Sequence, residues 1–68
     1  MEAPVIVHPP GPGGRRVTIR GEHAGTATGP ADLLEFLRRA GLEDLDALDL
    51  RRPELVQWRG AGPDRWES

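Results

Sequence analysis

No cysteine occurs in this 68-residue chain, so disulfide staples and thiolate metal sites are both excluded. That absence matters at this length. A domain so short buries only about 60% of the surface its unfolded chain exposes, and small scaffolds usually carry a staple. Lysine and tyrosine are also missing, and all nine basic residues are arginine. Together with abundant Gly, Pro and Ala, that bias reads as GC-rich codon usage rather than selection for arginine chemistry. No run approaches the ~18 apolar residues of a membrane-spanning helix. The start has neither the basic nor the apolar region of a secretory signal, so the cytoplasm is the expected location. Aromatic residues are scarce, and Phe36, Trp58 and Trp66 must anchor the core with the leucines and valines. One domain spanning residues 1–68 is the most that this chain can form.

What is present is strongest at Gly29–Leu42. Leu33, Phe36, Leu37 and Ala40 recur at helical spacing and line one face. Pro30 suits the first helical position and biases Gly29 toward the extended N-cap conformation. Asp32 in the first turn and Arg38 and Arg39 in the last complement the helix dipole. Gly41 followed by Leu42 predicts a Schellman stop, with Leu42 folding back on Leu37. A helix of this length is marginal alone, so the face must be buried against another element.

That element is a sheet. Pro4–His8 is β-prone, Pro9–Gly14 is a connecting loop, and Val17 and Ile19 alternate with Arg16, Thr18 and Arg20 as in a half-buried strand. A turn at Arg20–Glu22 returns the chain through a weak strand over 22–27, with Ala24 and Thr26 expected on the face of Val17 and Ile19. Leu42, Leu45 and Leu48 suit one or two helical turns, of the α or the 3₁₀ kind. A turn at Pro53–Leu55 is expected to lead into a short strand at Val56–Arg59. These readings predict an α+β fold: a small antiparallel sheet of three or four strands with one main helix packed on one face.

The run of Val-His-Pro-Pro, Gly-Gly-Arg-Arg-Val, Phe-Leu-Arg-Arg-Ala-Gly-Leu and Leu-Val-Gln-Trp-Arg-Gly resembles short uncharacterised proteins of high-GC bacteria. The resemblance spans nearly the whole chain and implies a compact independent domain. It implies no activity.

Candidate chemistry is sparse. Histidine is the side-chain type that titrates nearest neutrality, and His8 and His23 with Glu22 could compose a two-nitrogen, one-carboxylate metal set, but their spacing fits no ligand motif. No metal or other cofactor is expected. The hydroxyl residues Thr18, Thr26, Thr28 and Ser68 stand in no nucleophile-elbow context, and so small a chain offers little shielding for paired carboxylates. No enzymatic activity is expected. The glycines of Gly11–Gly14 precede a strand rather than the helix that a phosphate cradle requires. The acidic run Glu43, Asp44, Asp46 and Asp49 lacks the glycine and closing glutamate of a calcium loop and reads as a solvated turn or a face for a basic partner.

Two sets of residues remain. Trp58-Arg59 and Arg65-Trp66 flank a glycine-rich bend with the residue types enriched at binding hot spots. Trp58 is expected in the core, while Trp66 stands open between core and interface. These four are the expected partner-binding residues, with another protein or a second copy of the chain as partner. The alternative is nucleic acid, contacted by Arg15, Arg16, Arg20, Arg38 and Arg39, although no aromatic interleaves them as a stacking platform. The charge of −2 is unevenly split. Residues 1–42 hold five arginines against four acids (+1), and residues 43–68 hold four against seven (−3). Neither half has the balance of a dedicated phosphate binder.

Overall fold

The computed structural model describes residues 3–67; Glu2 and Ser68 lie outside the described residues. Four strands and one helix follow each other as β1 (Val5–Val7), β2 (Arg15–Ile19), β3 (Glu22–Ala27), α1 (Pro30–Arg39) and β4 (Val56–Trp58), with a 3₁₀ turn at Asp49–Arg51 before β4. The sheet order is β3-β2-β1-β4. This is a small α+β fold with α1 against one face of the sheet.

The sheet is mixed rather than wholly antiparallel. β1 pairs antiparallel with β2, and β2 antiparallel with β3, but β4 runs parallel to β1. The connection explains the direction. β3 already runs parallel to β1, and a helical crossover returns the chain to the end from which it left, so the next strand repeats that direction.

α1 begins and ends as its residues dictate. Gly29 is extended at the N-cap and Pro30 opens the helix. At the other end Gly41 N–H donates to Arg38 O at 3.0 Å and Leu42 N–H to Leu37 O at 2.9 Å, the two bonds of a Schellman motif. Leu33 and Leu37 are fully buried on Val5, Val7, Val17, Ile19 and Val56, with Phe36 and Ala40 half-buried beside them.

The β2–β3 hairpin turns on Arg20 and Gly21, both at positive φ (52° and 85°), as a two-residue type I′ turn needs. Its register departs from the simple alternation. An irregularity beside Val17 and Thr18 leaves Ala24 unpaired, so Gly25 faces Val17 and Ala27 faces Arg15. Gly25 and Ala27, not Ala24 and Thr26, therefore share the core face. Phe36 supplies the reason: a Cβ at Gly25 would lie 2.7 Å from the end of its ring, and the backbone there has φ 152°. The strand gives up a side chain so that the helix can approach.

The acidic connection also differs in detail from a repeat of leucines. Leu42 and Leu45 pack against the core, but the deeply buried leucine is Leu50, 2% exposed, whereas Leu48 is 75% exposed. Asp46 Oδ1 accepts the Leu48 N–H and Asp49 Oδ2 accepts the Asp46 N–H, both at 2.9 Å. These carboxylates close their own turn. Pro53–Leu55 forms the expected turn into β4.

Candidate functional site

Arg15 opens β2 on the same side as Val17 and Ile19, and it is fully buried. Its guanidinium is saturated by backbone oxygens. Nε donates to His8 O at 2.8 Å; Nη1 donates to Gly62 O and Arg65 O, each at 2.8 Å. Nη2 donates to Arg59 O at 2.8 Å and Ala61 O at 3.0 Å. All five N–H donors of the side chain are thereby used. The indoles complete the enclosure, with the guanidinium carbon 5.2 Å from the Trp58 ring centre and 6.0 Å from that of Trp66. The two rings meet edge to face at 5.5 Å. Trp58 Nε1 donates to Leu50 O at 2.9 Å. Burial lowers the pKa of Arg15, yet a guanidinium starts so high that it stays charged.

The four residues expected to bind a partner thus converge, and Arg15 is what assembles them. Trp58 and Trp66 lend their faces, and Arg59 and Arg65 lend their carbonyls. Both tryptophans are half-buried and packed on the core. Beyond their outer edges lies an open groove of about 280 Å³, lined by Leu48, Leu50, Trp58, Pro63 and Trp66 among others. Leu48 stands at its rim as the exposed large apolar residue, and an ion pair of Arg51 with Asp64 at 3.0 Å marks another wall.

The arginines expected to contact nucleic acid do not form one face. Arg15 is buried beyond the reach of any phosphate. Arg38 and Arg39 both pair with Glu35 on α1, Arg39 at 3.2 Å. Arg20 sits in the hairpin turn, and Arg16 alone of the five projects from the sheet face opposite α1, because it alternates with Arg15 and Val17 along β2.

The metal set also separates. His8 and His23 line one shallow depression on that outer face with Arg16, Thr18 and Gly21. Glu22 pairs with Ile19, whose side chain is in the core on the opposite face. Among the described residues no group of three His, Asp or Glu side chains is placed to hold a metal ion. Gly11 and Gly14 exchange backbone hydrogen bonds at 2.9 and 3.2 Å, closing the loop as a tight turn that feeds β2.

Sequence reading missed the burial of Arg15, the exposure of Leu48 and the closeness of His8 to Thr18. A signal for the first was present, since Arg15, Val17 and Ile19 stand at i, i+2 and i+4 of one strand. The class of molecule defined here is a small α+β domain with an arginine-clamped C-terminal segment, and none of its described helices is long and apolar enough to cross a membrane. No known protein family, curated protein or solved structure matches the chain.

Proposed function

We propose that this chain is a non-enzymatic, cytoplasmic interaction domain that binds a partner protein through the groove beside Leu48, Trp58 and Trp66. The observation that carries the reading is the placement of Leu48, 75% exposed, at the rim of a groove floored by Leu50 and two half-buried indoles. A large apolar side chain held out to water by a capped turn gains most when another surface covers it. The groove takes one or two apolar side chains. Residues 43–68 carry a net charge of −3, and Asp46, Asp49 and Asp64 stand around the groove and its turn. The occupant that fits is a segment with an apolar anchor flanked by basic residues.

Selection of peptides from a random displayed library tests this directly. Sequences with an apolar residue between Arg or Lys should enrich on the wild-type chain. Their affinity should fall by roughly tenfold or more on Leu48→Gln, equivalent to about 1.4 kcal/mol of lost apolar burial. Leu48 contributes little to the core, so the variant should keep its folded circular dichroism. Peptides held equally by both proteins would remove the groove from consideration. Sedimentation of the wild-type chain identifies the case in which the occupant is a second copy.

A further inference from the structure

The sheet face opposite α1 carries a second arrangement, independent of the groove. On it, His23 of β3 lies across from Thr18 of β2, and Arg16 lies two residues away on the same strand. His8, just after β1, shares a 2.7 Å hydrogen bond between its Nε2 and Thr18 Oγ1. With Gly21 these side chains line a depression of about 370 Å³. Among the described residues no carboxylate lines it. Arg16 is exposed and takes part in no ion pair among the described residues, unlike Arg38, Arg39, Arg51 and Arg52.

Two imidazoles, a guanidinium and a hydroxyl facing one hollow make a donor set. A cation would meet Arg16 and, among the described residues, no anionic ligand there, so the histidines are wrongly accompanied for a metal. An oxyanion would meet donors throughout. We propose that this depression is a binding site for a phosphate group carried by a small ligand, held by Arg16, His8, His23 and the Thr18 hydroxyl.

The proton chemistry follows from the hydrogen bond already in place. With His8 neutral as the Nδ1–H tautomer, the Thr18 hydroxyl donates to its Nε2. With His8 protonated, Nε2–H donates instead, and the hydroxyl hydrogen is released toward the anion. In the free protein the pKa of His8 is held below its ordinary value, first by burial and then by Arg16, Arg59 and His23, all of which oppose a second positive charge. A bound dianion reverses that opposition. Binding should therefore take up a proton and strengthen as pH falls.

The test follows the imidazole NMR signals of His8 and His23 during titration with sodium sulfate, against sodium chloride at equal ionic strength. Sulfate stays doubly charged from about pH 5.5 to 7.5, so any pH dependence belongs to the protein. Saturable shifts with sulfate alone are expected, with the His8 pKa moving up on binding. The affinity should weaken toward high pH by up to about tenfold per unit, for the one proton gained at His8. Inorganic phosphate at about pH 6 should displace sulfate. Arg16→Ala should weaken binding roughly tenfold while leaving the urea midpoint unchanged, which separates lost contact from lost fold. Equal shifts with chloride, or sulfate binding untouched in Arg16→Ala, would overturn the site. So would binding of a short oligothymidylate with a steep salt slope and no saturable sulfate response, which would assign the face to a nucleic-acid backbone.

Discussion

Arg15 is the residue on which most of this structure turns. A buried guanidinium normally needs a carboxylate, since taking it out of water costs several kcal/mol. Here no carboxylate bonds to it. Five carbonyl oxygens drawn from His8, Arg59, Ala61, Gly62 and Arg65 share the charge, and two indole faces add an attraction of about 0.5–2 kcal/mol each. The planar fork matters as much as the charge, because its donors leave in fixed directions that match carbonyls on several sides. Lysine offers a point charge and three donors, so at least two of these carbonyls would lose their partner. Arg15→Lys is expected to cost about 2–4 kcal/mol and Arg15→Met about 3–5 kcal/mol. A chain of 68 residues has a total stability of only about 3–10 kcal/mol. Urea unfolding followed by tryptophan fluorescence measures this, since both indoles pack around the clamp. Variants within ~0.5 kcal/mol of wild type would show that the clamp is incidental to stability.

At the scale of elements, what neighbours in sequence decide was legible, and what distant volumes decide was not. The start, face and stop of α1 are set within Gly29–Leu42, so Pro30, the Leu33 stripe and the Gly41-Leu42 signal sufficed. The hairpin turn and the turn at Pro53 were readable for the same reason. The displacement of Ala24 from the core face was not, because the ring of Phe36, eleven residues on from Gly25, determines it. The clamp is the extreme case. Arg15 stood in the apolar alternation of β2, but four of its carbonyl partners lie 44 to 50 residues away, and arginine in isolation favours solvent. The helix start yields a prediction of its own. Thr28 donates both its N–H, at 2.9 Å, and its hydroxyl, at 2.7 Å, to Asp32 Oδ2, and these bonds hold the Asp32 pKa below its ordinary value. A lowered carboxyl pKa means that the unfolded chain binds the proton more readily. The stabilisation is therefore whole above the unfolded value of about 3.9 and is lost as pH falls through the lower folded value. Asp32→Asn should flatten the loss of melting temperature below about pH 4, measured at constant ionic strength against wild type. Parallel curves would show that the capping carboxylate does not govern acid sensitivity.

For the molecule as a whole, the clamp stands in for the disulfide that this sequence cannot make. It ties the loop after β1 to the segment beyond β4, and in doing so it stands between the two proposed surfaces. On one side its Nε fixes the carbonyl of His8, whose imidazole lines the outer depression. On the other its guanidinium supports Trp58 and Trp66, which wall the groove. The surfaces share no lining residue and lie on opposite faces of the sheet. Substitutions so placed usually act independently, whereas a residue touching both should affect both. Leu48→Gln is therefore expected to weaken peptide capture and leave sulfate binding within about twofold of wild type. Arg16→Ala should do the reverse. Arg15→Lys, assayed at a temperature where circular dichroism shows it folded, should weaken both, because it loosens the indoles and His8 together. The measurement is peptide and sulfate affinity in the same three variants. Loss of sulfate binding in Leu48→Gln, or of peptide capture in Arg16→Ala, would mean that the faces are coupled by something other than this clamp. Unchanged affinities in Arg15→Lys would mean that both sites are organised without it.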